Sequence, residues 1–185
     1  GRVAVPDDEE IIATVREFKG KRVAVRVVRV RLADGTESTR DIVKHPDSVA
    51  IVAVDDERNV LFVRQYRTAI GSELLELPAG VLDGDEDPQT AAQRELREET
   101  GYAAGRLIKL GGFYAAPGSV TEYLHSFVAT GLRHDPLAPD DDERIVLERV
   151  PLADAIGRAR FGELHDAKTI ASLMMAEAHL AAIGG

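Results

Sequence analysis

Apolar residues alternate with polar ones through residues 21–32, first at Val23, Val25 and Val27 and then, one step out of phase, at Val28, Val30 and Leu32. A period of two predicts a strand, and the slip predicts a β-bulge within it. Asp34-Gly35 is a hairpin turn signal that sends the chain back through 36–43. A lone hairpin is marginal in water, so this one must pack on the rest of the chain or on another subunit. Residues 48–54 and 60–66 predict two more strands, joined by the polar turn 55–59, and a short strand at 73–77 ends at Pro78. Further strands are predicted near 107–114, 122–129 and 144–150. Pro151 opens a helix to about 161, and 167–183 reads as a longer helix with Ile170, Leu173, Met174 and Ala178 on its core side. Residues 1–10 are acidic and expected to be frayed. The pattern predicts a mixed α/β sandwich preceded by an antiparallel hairpin.

Between strands lies a helix whose ends are both signalled. Asp87 is a natural N-cap, Pro88 suits the first helical position, and Gly101 supplies a left-handed stop, so the spacing predicts a helix over 87–100. Glu95, Glu98 and Glu99 stand at i, i+3 and i+4 and crowd one face. Like charges at that spacing cost about 0.2–0.5 kcal/mol per pair. Glu86, just before the helix, can bend back toward the same cluster. A positive charge must offset this repulsion, and hard oxygen ligands suit Mg²⁺, with Mn²⁺ as a second choice. The simpler alternative is a solvated face on which Arg94 and Arg97 pair with the glutamates. The spacing to Gly80 and Glu86, with caps at both ends, favours metal binding, the arginines then orienting the glutamates.

Composition sets limits on the rest. The chain has 185 residues, 44% of them hydrophobic and 30% charged, which suits one core with a small appended element. No apolar run approaches the ~20 residues that span a bilayer, and no signal-peptide pattern opens the chain. A formal charge of −9 argues against a nucleic-acid partner. The absence of cysteine removes disulfide and thiol chemistry and fits a cytoplasmic protein. Gly1 in place of methionine suggests a processed or trimmed chain. The five histidines are scattered and form no pair at zinc spacing.

Gly80, then Glu86, then Arg94-Glu95-Leu96-Arg97-Glu98-Glu99-Thr100-Gly101-Tyr102 fit every fixed position of the Nudix box, G-x5-E-x7-R-E-U-x-E-E-x-G-U, with Tyr102 where an aliphatic residue is commoner. The chain therefore resembles the Nudix hydrolases, enzymes that cleave a diphosphate joined to another group. That resemblance implies a Nudix-type α/β/α sandwich over 47–185, with 1–46 as a dimerisation hairpin exchanged across a C2 homodimer. Glu76-Leu77-Pro78-Ala79-Gly80 is similar to a segment of ADP-ribose pyrophosphatases whose alanine carbonyl ligates metal, which implies Ala79 beside Glu95, Glu99 and Glu98 as the metal site. Pro117, 16 residues after Gly101, resembles the mark of that subfamily. Pro117-Gly118 makes a rigid turn that lets backbone approach a ligand, and Glu122 is placed to accept a hydrogen bond from a sugar hydroxyl. Ser119 stands where an aromatic is usual, which leaves GDP-mannose open beside ADP-ribose.

Arg40 and Arg67 match substrate-contacting positions in similar enzymes, and arginine grips phosphate bidentately. Phe18 offers a face for a base. In similar enzymes an acidic loop closes over the site; here the corresponding run offers Glu143 as general base, Asp141 as its alternate, with Glu98 a further candidate. The residues 162–169 are similar in both substrate groups and do not separate them. The reading is thus hydrolysis of a nucleoside diphosphate sugar, ADP-ribose first, by a Mg²⁺-dependent homodimer. Its rivals are GDP-mannose hydrolysis, a mutagenic-nucleotide triphosphatase, and a Nudix-fold sensor that binds a nucleotide sugar without cleaving it.

Overall fold

The computed structural model describes residues 9–138 and 144–183. The described chain forms two compact units, the first running to Pro46 and taking in Tyr114–Glu122, the second built from Asp47–Phe113 and the chain from Tyr123 onward.

The first unit is an antiparallel sheet in the order β1-β2-β3, with β1 at Glu10–Lys19, β2 at Ala24–Arg31 and β3 at Glu37–Lys44. The expected hairpin is present as β2 and β3, paired without interruption from Ala24↔Lys44 to Arg31↔Glu37. A third strand joins them. The bulges fall in β1 and not in β2: its register against β2 shifts between Ile11 and Ala13 and again between Thr14 and Arg16. Two extra residues in β1 break its own alternation, which is why no strand is legible there. Val28 and Val30 are each 2% exposed and anchor this unit. The segment Tyr114–Glu122 lies along the end of β3: Val43 N–H donates to the Ser119 carbonyl (2.7 Å) and Thr121 N–H donates to Val43 (3.0 Å). The Thr121 hydroxyl exchanges bonds with both backbone groups of His45 at 3.0 Å.

The second unit carries two sheets. One is ordered β10-β5-β6, from β5 (Asn59–Arg67), β6 (Ser72–Glu76) and β10 (Ile145–Pro151). The other is ordered β7-β4-β9-β8, from β4 (Ser48–Ala53), β7 (Ala79–Val81), β8 (Tyr102–Tyr114) and β9 (Tyr123–His134). It is mixed, with β4 parallel to β9 and antiparallel to β7. All six residues of β4 are buried, as a central strand covered on both faces requires. Val49, Ile51 and Ala53 pack with Ala91, Ala92 and Leu96 of α1 (Pro88–Thr100). Val52 and Val54 pack with Ala155 of α2 (Leu152–Arg160) and Leu173 of α3 (Ala167–Ile183). One sheet is thereby sandwiched between helices. On α3 the buried stripe is Leu173, Ala176 and Leu180, with Ile170 and Met174 half-buried against it. Ala178 is exposed, because the i, i+3, i+7 stripe from Leu173 passes on the other side of the helix. No helix among the described residues is long and apolar enough to cross a membrane.

Candidate active site

α1 forms as its end signals predict. The Asp87 carboxylate accepts from Gln89 N–H (3.0 Å) and Thr90 N–H (3.2 Å), Pro88 opens the helix, and Gly101 closes it at φ 77°. Its inward face carries Ala91, Ala92 and Leu96, and also Glu95 and Glu99, which are 8% and 9% exposed. Burying a carboxylate is costly unless it is paired and hydrogen-bonded, so the surroundings of these two explain the site.

The compensating charge is Arg94. Its guanidinium donates to Glu86 (3.1 and 2.8 Å), to Glu95 (2.7 Å), to Glu98 (3.0 Å) and to the Val81 carbonyl (3.1 Å). One arginine thus gathers three of the four carboxylates and ties them to β7. The bond from Arg94 holds the Glu86 carboxyl below its ordinary range, and the same pairing holds the guanidinium protonated well above its own. Arg97 does not join the cluster. It turns to the Asp135 carbonyl and carboxylate at 3.0 and 3.1 Å, so only one of the two arginines expected to orient the glutamates does so.

Glu99 is held separately, accepting the Ala79 N–H at 2.9 Å. Gly80 shows how tightly β7 and α1 meet, since a Cβ on it would lie 1.9–2.2 Å from the Glu95 carboxyl atoms. Only glycine fits. Gly80→Ala is expected to push Glu95 out of its seat and cost about 1–3 kcal/mol, read as a lower midpoint of thermal unfolding together with loss of turnover. An unchanged midpoint would show that the strand and helix can part at no cost.

Among the described residues no three carboxylates or imidazoles already converge as a metal cage. The donor set nevertheless suits a hard divalent cation: buried glutamates against β7, with Glu95 packed on Gly80 where no side chain intervenes.

Beside this lies a second network that the sequence did not reveal. Glu76, at the end of β6 and 1% exposed, accepts two bonds from the Arg67 guanidinium, both 2.7 Å, and one from Lys168. Burial pushes the Glu76 carboxyl up, but the Arg67 and Lys168 bonds outweigh it, and the net displacement is below the ordinary value of 4.5. A carboxyl lowered in the folded state stabilises the fold above its unfolded value and loses that contribution as pH falls through its folded one. Unfolding free energy from Glu76 is therefore expected to be flat above about pH 4.5 and to decline below it. In Glu76→Gln this part of the acid decline should vanish in denaturant titrations taken across pH 3–6.

The other sequence candidates fall in different places. Arg67 holds Glu76 through Nε and one terminal nitrogen, and its side chain is 40% exposed. In the first unit, Phe18 is 66% exposed on β1 and Arg40 on β3 bonds Glu9, the Ser38 hydroxyl and the Thr39 carbonyl. Pro117 is exposed in its loop, and Glu122 stands 3.7 Å from His45. Glu143 and Asp141 lie outside the described residues.

A NUDIX domain model matches residues 44–173 of this chain. An ADP-ribose pyrophosphatase of Bacillus subtilis (strain 168) is 40% identical over 164 residues, covering 88% of this chain and 89% of that protein. A methanol dehydrogenase activator of Bacillus methanolicus is 36% identical over 165 residues, with 88% and 89% covered. The crystal structure of an ADP compounds hydrolase superposes with a TM-score of 0.87 over 98% of this chain and 99% of that one, at 23% identity.

Proposed function

The chain belongs to the NUDIX domain family, and on that premise we propose that it is a metal-dependent pyrophosphohydrolase acting on nucleoside diphosphate sugars, with ADP-ribose, cleaved to AMP and ribose 5-phosphate, as its substrate. The observation that carries this reading is the burial of Glu95 and Glu99 against Ala79 and Gly80, with Glu86 and Glu98 gathered beside them by Arg94. Buried carboxylates set along one helix face against β7 suit a cation-assisted reaction at a polyanion.

The Ala79 carbonyl, Glu95 and Glu99 would hold the metal, with Glu98 nearby. When bound, Mg²⁺ or Mn²⁺ would neutralise the diphosphate and acidify the attacking water. Glu143 is assigned the water's proton, with Asp141 and Glu98 as the alternates. Water oxygen bonds to one phosphorus, the bond from that phosphorus to the bridging oxygen breaks, and the departing phosphate carries the bridging oxygen away. Arg40 and Arg67 are assigned to the diphosphate, Phe18 to the base, and Pro117 and Glu122 to the sugar side. Residues 1–46 are assigned as a dimerisation element of a C2 homodimer, a reading supported by Ile11, Val15 and Phe18, which are 58%, 55% and 66% exposed along β1. A cytoplasmic location belongs to the same reading.

One observation favours a second substrate: Ser119 follows Pro117-Gly118 where an aromatic residue is usual for ADP-ribose. A hydrolysis panel of ADP-ribose, GDP-mannose, ADP-glucose, UDP-glucose and diadenosine polyphosphates with Mg²⁺ separates the readings. ADP-ribose is expected to show the highest kcat/KM. A higher value for GDP-mannose would move the assignment to that sugar nucleotide, and tight binding without cleavage would make the chain a sensor.

A further inference from the structure

The segment that leads into the site is pinned at each successive residue, and α3 supplies the first two pins. Asp166 caps α3, accepting Thr169 N–H at 3.0 Å. The same oxygen accepts the Thr169 hydroxyl proton at 2.6 Å. With its proton so directed, the hydroxyl oxygen is left with lone pairs only, and it accepts Leu77 N–H at 2.8 Å. Lys168, one residue earlier on the same turn, holds the Glu76 carboxylate. Beyond Leu77 the chain stays fastened: the Pro78 carbonyl accepts Ile51 N–H (2.9 Å), and Ala79 N–H reaches Glu99 (2.9 Å).

Thr169 is 0% exposed, so bulk water does not compete with Asp166 and Leu77 for its hydroxyl. Its bond is made two residues before Ala79, whose peptide meets the Glu99 carboxylate directly. A rotation of the Leu77 peptide would be passed through Pro78, whose ring fixes φ, to the Ala79 carbonyl. The hydrogen bonds of Thr169 run to Asp166 and Leu77.

We propose that Thr169, oriented by Asp166, is a positioning residue that sets the Ala79 peptide, and through it the metal-binding geometry, from a helix about 90 residues further along the chain. The inference rests on the function proposed above. A hydroxyl used only for stability would affect unfolding alone, whereas a positioning hydroxyl affects cation affinity in the fully folded protein.

The test is Mn²⁺ binding to the intact chain, followed by the electron paramagnetic resonance signal of the free ion. It compares the unsubstituted protein, Thr169→Val, Thr169→Ser and, as a stability control, the buried core variant Leu173→Ala. All are measured at a temperature where each is folded. Thr169→Val, which keeps the shape and loses the hydroxyl, is expected to weaken Mn²⁺ binding about 10–100-fold. Thr169→Ser should restore binding to within about twofold, and Leu173→Ala should leave it unchanged despite its lower unfolding midpoint. If Thr169→Val does not fold, Thr169→Ala takes its place: it also removes the hydroxyl that accepts Leu77 N–H, and weakened Mn²⁺ binding is again expected. Unchanged affinity in the folded variant, or an equal loss in Leu173→Ala, would overturn the positioning role while leaving the hydrolase reading intact. If the unsubstituted protein binds no Mn²⁺ and cleaves no member of the substrate panel, the hydrolase reading fails and the positioning role falls with it.

Discussion

Glu99→Gln is expected to lower kcat on ADP-ribose by at least about 100-fold at saturating Mg²⁺, since a metal contributes several kcal/mol of charge stabilisation to such a reaction. The substitution is nearly isosteric and keeps an oxygen that can accept the Ala79 N–H now bonded to Glu99 at 2.9 Å. It removes the negative charge and turns one carboxylate oxygen into an amide nitrogen. Glu99 is 9% exposed and sits on the face of α1 that packs against β4 and β7, so its charge is carried in a setting where it is expensive to keep. Phosphoryl transfer depends mostly on positioning and charge neutralisation, and the loss should therefore appear in kcat more than in KM. Steady-state kinetics across a Mg²⁺ titration, paired with thermal unfolding, check this. Near-normal turnover at saturating Mg²⁺ would sink the metal assignment of Glu99.

Arg94→Met should produce a large loss of stability. Three carboxylates, Glu86, Glu95 and Glu98, share its guanidinium, and it also holds the Val81 carbonyl. Removing one partner from a buried ion pair costs about 3–5 kcal/mol. The side chain of Arg94 is 24% exposed, so water recovers part of that, and about 2–3 kcal/mol is expected. For a chain of this size the unfolding midpoint should fall by about 4–12 °C. The carboxylates left behind then need another cation. Added Mg²⁺ or Mn²⁺ should raise the midpoint of Arg94→Met by more than it raises that of the unsubstituted protein, by linkage. Differential scanning calorimetry with and without metal measures both effects. A midpoint within 1 °C of the unsubstituted protein would mean that the glutamates do not depend on Arg94.

Much of this site could be read locally. The helix from Asp87 to Gly101 is specified by groups within one turn of its own ends, which is why cap, first turn and stop all appear where the sequence puts them. The crowding of Glu95, Glu98 and Glu99 follows from helical spacing alone. The strands β4 and β5 are legible for a similar reason, being apolar runs bounded by polar turns. β1 was not legible, because its pairing with β2 tolerates two register shifts and most of its side chains face solvent. The three-residue β7 was missed as well, since it forms only by meeting β4.

By itself the sequence determined the chemistry available: which carboxylates share a helix face, where that helix begins and ends, and which glycine precedes it. Those are properties of short spans, settled by backbone sterics and hydrogen bonds between near neighbours. Only the tertiary structure decided how the charges are balanced. It chose Arg94 over Arg97 as the counter-ion, brought Glu95 onto Gly80, and set Thr169 beneath Leu77 across 92 residues. Such contacts depend on where separate elements pack, and burial makes the partner of each charge matter, because an unpaired carboxylate is tolerated in water and not in a core.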